Sequence, residues 1–201
     1  MLIMVRILRR RLRREFFHIS DTYRNILYIL EERPPRSGSR IGEWRFSMDE
    51  RRRTQDEHFI AEALELAHEA ERAGEVPVGA VVVIGGEVIG RGRNAPVEMH
   101  DPTAHAEILA LRQAAAALGN YRVERATLYS TLEPCVMCAG ALVAARIERL
   151  VFGARDLRFG GVRSKFRVAD SELLNHRVEI VEGVMGAECA ELMLKFFSAR
   201  R

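Results

Sequence analysis

The feature that most constrains this chain is a pair of short runs set 30 residues apart, His105-Ala106-Glu107 and Pro134-Cys135-Val136-Met137-Cys138. One histidine and two cysteines are the three protein ligands a catalytic zinc takes when its fourth position is left for water. Cys135 and Cys138, three apart, share one face of a helix. At a helix start their thiolates gain from free backbone N–H groups and the positive end of the dipole. Any fold this chain adopts must bring the starts of two helices together around one point. Glu107 is not needed as a ligand, so it is free to move protons. Taken singly, Cys-x-x-Cys is as common in structural zinc half-sites and redox pairs, and His-Ala-Glu is an ordinary surface-helix sequence. The two together, with a proline before the first cysteine, point to a catalytic centre.

The segments between these runs alternate in type. Phe59, Ile60, Ala63, Leu64, Ala67 and Ala70 recur at helical spacing from about Thr54, with Gly74 as the stop. Val78 to Ile84 is a β-branched run, Gly85-Gly86 a two-residue turn, and Glu87 to Arg91 the return strand. Residues 93–103 read as a loop. Thr103 is the expected N-cap of a helix over about Ala104–Leu118, closed by Gly119-Asn120. Ala126–Leu132 is a strand, Pro134 opens a helix through Arg146, and Arg149–Gly153 and Arg177–Val181 are strands. A loop over 154–168 separates those last two, and an amphipathic helix over about Gly186–Ala199 ends the chain. This order predicts a three-layer α/β/α domain with a mixed five-stranded sheet.

Charge divides the chain of 201 residues. Residues 1–47 hold 11 arginines against five acidic side chains, whereas the remainder holds 20 basic and 23 acidic ones, so the net +3 belongs to the first segment. The expected division is therefore a basic extension over 1–47, closed by the Pro34–Ser39 stretch, and one domain over 48–201 that holds every motif. Three readings of the extension stand: weak order or sequence upstream of a start at Met48, a transit peptide, and an arm for RNA or a membrane surface. Asp21, Glu15, Glu31 and Glu32 argue against the transit peptide. No apolar run approaches the roughly 20 residues of a membrane-spanning helix. Three cysteines, two of them in Cys-x-x-Cys, fit a reducing compartment better than a disulfide framework.

At the level of whole motifs the chain resembles the bacterial tRNA-specific adenosine deaminases. The resemblance is carried by Glu75–Ala80, Asp101–Ile108, Thr131–Ala141, Val151–Asp156 and Asn175–Ile180, and it covers roughly residues 56–198. It implies a cytidine-deaminase-like fold and a cytoplasmic homodimer that hydrolyses the wobble adenosine of an arginine tRNA anticodon loop to inosine, releasing ammonia. By motif, His105, Cys135 and Cys138 are similar to the ligands of one Zn2+ per subunit and Glu107 to the proton shuttle. Asn94 resembles a residue on the extruded nucleotide, and Asp156 and Asn175 resemble residues lining the RNA site. Two alternatives remain open: a guanine or free-nucleoside deaminase of the same superfamily, and a non-catalytic RNA-binding module with a structural zinc. The second calls for a fourth protein ligand, for which His100 is the weak candidate, and leaves Glu107 without a task. Arg155, Arg158, Arg163 and Arg167, with Arg200-Arg201, are the cations expected to grip RNA; Cys189 reads as a small buried side chain.

Overall fold

The run Gly-Ala-Val-Val-Val-Ile of β1 (Gly79–Ile84) is buried almost throughout, and a strand apolar on both faces needs cover on both. The computed structural model describes residues 38–200, with side chains from residue 49 onwards. Residues 1–37, which hold most of the extension and of its closing linker, and Arg201 lie outside the described residues. The chain separates into two compact units, 1–46 and 47–201, and the sheet and every candidate site residue belong to the second.

β1 pairs antiparallel with β2 (Glu87–Arg93) on one side and β3 (Thr127–Leu132) on the other; β4 (Arg149–Ala154) and β5 (Glu179–Glu182) follow in parallel, giving the order β2-β1-β3-β4-β5. The mixed five-stranded sheet expected from sequence is therefore present. Gly85 and Gly86 turn the β1–β2 hairpin with φ of +61° and +88°, the left-handed pair such a tight turn requires.

Side chains alternate across the sheet as a period of two demands. Ala80, Val82, Leu128, Leu150 and Phe152 face one side, where they pack with α3 (Ala106–Leu118) and α4 (Val136–Ala144) through Ala110, Ala114, Ala139 and Leu142. Val81, Val83, Tyr129 and Val151 face the other, against Phe59 and Ile60 of α1 (Gly38–Arg72) and Cys189 of α5 (Gly186–Ser198). Cys189 is indeed a buried small side chain. A polar clasp joins α1 to the sheet: Arg149 donates to both carboxylate oxygens of Asp56 at 2.7 Å, and the Tyr129 hydroxyl donates to Asp56 at 3.0 Å.

On the first face the packing is backbone against backbone. A Cβ on Gly92 of β2 would lie 2.1 Å from the Ala106 carbonyl and 2.6 Å from the Ala110 nitrogen, and one on Gly90 would lie 2.3 Å from the Ala110 carbonyl. These glycines let α3 lie directly on the strand.

Several boundaries differ from expectation. α1 begins at Gly38 instead of near Thr54, β2 runs on to Arg93, and β5 starts at Glu179 instead of Arg177. A short helix, α2 (Pro96–Met99), interrupts the expected loop. No helix among the described residues is long and apolar enough to cross a membrane.

Strand directions decide where chemistry can sit. β3 and β4 end where β1 begins and β2 ends, since Gly79 pairs with Arg93 and donates its N–H to the Thr131 hydroxyl. Residues 94–105, 133–138 and 155–164 are therefore all delivered to one end of the sheet.

Candidate metal centre and active site

Both ligand segments are helix caps. Asp101 folds the first: its carboxylate accepts from the Thr103 N–H at 2.8 Å and from the Thr103 hydroxyl at 2.7 Å, and the Ala104 carbonyl accepts from Ala95 N at 3.0 Å. With its hydroxyl engaged by Asp101, Thr103 does not cap α3. His105 occupies that position, extended at φ −74° and ψ 151°. Likewise Cys135, not Pro134, stands at the head of α4, so the helix starts one residue later than expected. Neither cap residue gives its side chain to a backbone N–H. Both side chains point elsewhere, to each other.

His105 Nδ1 lies 3.6 Å from Cys135 Sγ and 3.6 Å from Cys138 Sγ, and the two sulfurs are 3.7 Å apart. A tetrahedral zinc with ordinary bond lengths has ligand edges of about 3.6 Å for N···S and about 3.8 Å for S···S. The triad therefore fits zinc without rearrangement. Among the described residues no other histidine, cysteine or acid joins this group. His100, exposed at the left-handed end of α2, is not a fourth ligand.

Electrostatics suit the site to holding charge. The Cys138 thiol in hydrogen-bond range, with His105 beside it, brings Cys135 down to about 4. The same sulfur–sulfur contact and burial push Cys138 up. Contact with Cys135 raises His105. Glu107, in the first turn of α3 and only 4% exposed, is pushed up to about 7 by burial. A carboxyl that takes up and gives back a proton near neutral pH is what acid–base chemistry requires.

The remaining residues expected at the site divide. Asn94 is buried at the end of β2, next to the Ala95–Ala104 bond, and its amide has no hydrogen-bond partner among the described residues. Asp156 opens the loop after β4, accepting from Arg158 N at 2.9 Å and Phe159 N at 3.1 Å. That loop is tied to the ligand segment by a Cys135–Gly160 bridge and by Gly161 N donating to the Pro134 carbonyl at 2.8 Å. Asn175 is not brought here. Its carbonyl and side-chain oxygens accept from Arg146 at 2.7 and 3.1 Å, beyond the far end of α4 and ahead of β5. The short segment before a parallel strand lies opposite the strand's carboxyl end, away from the triad.

Three of the four loop arginines are engaged by acids. Arg155 is paired with Glu182 at 2.7 and 2.8 Å, Arg163 with Asp170 at 2.8 Å and Arg167 with Asp170 at 2.7 Å. Arg158 has no acidic partner among the described residues; its guanidinium stands 5.5 Å from the Phe159 ring centre. Sequence reasoning assigned no role to Glu133, which is only 2% exposed and sits between β3 and the first cysteine. Its signal was an acid lodged between an apolar strand and a Pro-Cys pair.

Comparison with known proteins agrees with this geometry. The profile of the MafB19-like deaminases matches residues 54–201. The chain is 50% identical over 147 residues to the tRNA-specific adenosine deaminase of Haemophilus influenzae, covering 73% of this chain and 85% of that protein. It is 47% identical over 148 residues to the Bacillus subtilis protein of the same name, covering 74% and 92%. A structure solved in work on A-to-I editing by tRNA:A34 deaminases superimposes with a TM-score of 0.65 at 45% identity, over 67% of this chain and 98% of that one. A guanine deaminase from Nitrosomonas europaea superimposes with a TM-score of 0.63 at 26% identity, covering 71% and 84%. By the His105, Cys135 and Cys138 cluster at its helix starts, its sheet and these relatives together, the chain belongs to the tRNA-specific adenosine deaminases of the cytidine deaminase superfamily.

Proposed function

We propose that this protein hydrolyses the wobble adenosine of a tRNA(Arg) anticodon loop to inosine, with one zinc per subunit held by His105, Cys135 and Cys138. The observation that carries the proposal is the triad at tetrahedral spacing with a buried, proton-exchanging Glu107 two residues from its histidine. Zinc, when bound, supplies Lewis acidity that brings the pKa of a water from about 15.7 towards about 7. Glu107 takes a proton from the attacking water and delivers it to N1 of the adenine. Once the C6–O bond has formed, the same carboxylate takes the remaining proton from the new C6 hydroxyl and hands it to the amino group as the C6–N6 bond breaks, so that ammonia leaves and the C6 carbonyl of inosine remains. Asn94, with its unpartnered amide, holds the extruded nucleotide. Asp156 shapes the wall beside Cys135, and Arg158 with Phe159 meets the flanking RNA by charge and stacking, the means by which single-stranded loops are held. Asn175 has no part in this proposal.

We further assign the deaminase to residues 48–201, working as a cytoplasmic homodimer. The decisive experiment measures ammonia released from an arginine tRNA anticodon stem-loop, free adenosine and guanine by the zinc-loaded protein. Inosine in the stem-loop at the wobble position is expected. The Nitrosomonas europaea relative makes guanine the informative competitor: turnover of guanine with none of the stem-loop would overturn the proposal.

A further inference from the structure

Five hydrogen bonds converge on a carboxylate that the reaction leaves unused. Glu133 Oε1 accepts from the backbone N–H groups of Val162 at 3.1 Å, Arg163 at 2.6 Å and Ser164 at 2.8 Å. Its Oε2 accepts from Asp156 N at 3.1 Å and from the Ser164 hydroxyl. These donors hold the acid below its ordinary range despite the penalty of burial, the Ser164 hydroxyl foremost among them. Four of the five partners are backbone N–H groups that can only donate, three to Oε1 and one to Oε2, so both oxygens must accept; only a carboxylate does that, since an amide presents one acceptor and one donor.

The bonds do not fall evenly along the loop. Asp156 and Gly160 are the two feet of a turn, since the Asp156 carbonyl accepts from Gly160 N at 2.9 Å. Glu133 fixes the first foot directly. The second is clamped by the Cys135–Gly160 bridge, and a Cβ on Gly160 would lie 2.5 Å from the Glu133 carboxylate. Between the feet, Leu157 and Phe159 stand 72% and 63% exposed, with Arg158 against the Phe159 ring. The segment 133–135 and the exposed tip 157–159 are therefore joined through one buried side chain in addition to the Cys135–Gly160 and Gly161–Pro134 backbone contacts.

We propose that Glu133 is a positioning residue, which sets the 157–159 tip relative to the metal ligands so that RNA gripped by the tip presents its adenosine to the site. This rests on the RNA-directed function argued above. Among the described residues Glu133 makes no hydrogen bond to the side chains of His105, Cys135 or Cys138.

Glu133→Gln is a specific perturbation. Its amide nitrogen placed at Oε2 can still satisfy the Ser164 hydroxyl but meets Asp156 N–H donor to donor; the flipped amide meets three donors and is worse. The change therefore frees the Asp156 foot. In the zinc-loaded full-length enzyme, Glu133→Gln is expected to raise KM for the anticodon stem-loop about tenfold, the size of a lost charge-assisted bond, with kcat changed less and zinc content unchanged. Hydrogen exchange at Asp156 and the tip should quicken. A general structural role predicts these changes to multiply with those of any other variant. Positioning through the tip predicts that Glu133→Gln adds little to KM once Phe159→Ala has removed the grip. Multiplicative effects in the double variant, or an unchanged KM in Glu133→Gln, overturn the proposal. If Glu133→Gln fails to hold zinc, Ser164→Ala, which removes one donor and keeps the carboxylate, must show a smaller KM rise with the same non-additivity. A wild-type enzyme inert on the stem-loop sinks the functional reading and this one with it, and is recognised in the wild-type lane alone.

Discussion

Replacing Gly92 by alanine tests how closely the fold and the site are bound together. The added methyl would stand 2.1 Å from the Ala106 carbonyl oxygen and 2.6 Å from the Ala110 nitrogen. In α3 these two atoms are the acceptor and donor of one i→i+4 hydrogen bond, so the methyl is wedged into the helix's first turn. Restoring ordinary contact at about 3.5 Å means opening the gap by about 1.4 Å. Overpacking of this kind costs about 1–3 kcal/mol, and a damaged backbone bond about 1 kcal/mol more. A total near 3 kcal/mol lowers Tm by about 6–12 °C for a chain of this size. The effect on turnover is separable. Ala106 stands between His105 and Glu107, and a displacement of about 1 Å at reacting groups costs about a hundredfold in rate. Gly90→Ala is the control: its methyl meets the Ala110 carbonyl at 2.3 Å and the Ala114 nitrogen at 2.9 Å, the same wedge one turn further from the ligand. Thermal unfolding should show both variants weakened. Turnover measured well below either Tm should fall much further for Gly92→Ala. Equal turnover in the two variants, or an unshifted Tm in Gly92→Ala, refutes the reasoning.

Cys138→Ala should lose both metal and activity, and unfold at lower temperature because ligand binding is linked to folding; a full complement of zinc in that variant would remove Cys138 from the site. Glu107→Ala should keep its zinc while turnover falls by about 10²–10⁴, the range for lost acid–base help; metal analysis beside single-turnover rates decides it. Arg158→Ala should weaken stem-loop binding and reduce the slope of log affinity against log salt by about 0.7–0.9, whereas Arg163→Ala, whose guanidinium is held by Asp170, should lower Tm and leave the slope alone. A protein starting at Met48 should edit the stem-loop at the full-length rate; loss of activity with zinc intact would place residues before Met48 in the RNA site.

What could be read from sequence was whatever is written locally. The β-branched run of β1 buried itself, Gly85-Gly86 turned the hairpin, and Gly119 closed α3 at φ +61°. The ligand triad was legible because metal chemistry restricts residue type as well as spacing. The caps were misplaced by one or two residues because Thr103 and Pro134 are good cap-region residues in isolation. Thr103 is engaged by Asp101, a competition that only the folded turn decides. Non-local partners were out of reach. The acids that neutralise Arg155, Arg163 and Arg167 lie from three to 27 residues away, and the N–H and hydroxyl groups that donate to Glu133 lie 23 to 31 residues on. Asn175 sits in a family-like motif, yet a segment's motif does not state which end of its strand it occupies.

The placing of ligands at the caps has a consequence for how such a protein can change. A helix cap lies at the margin of its element, so His105 and Cys135 take up little of the packing surface. The faces of α3 and α4 that meet the sheet are built instead from Ala106, Ala110, Ala114, Ala139 and Leu142. Core and chemistry thus draw on nearly separate sets of positions, and the exposed stretches of the connections after β2 and β4, over 97–100 and 157–159, are separate from both. Sequence drift or deliberate redesign can alter which molecule is gripped by rewriting those two connections, while the triad and the sheet beneath it stay as they are. Glu133 marks the boundary of that freedom, because a new connection after β4 must still offer its backbone N–H groups to one buried acid.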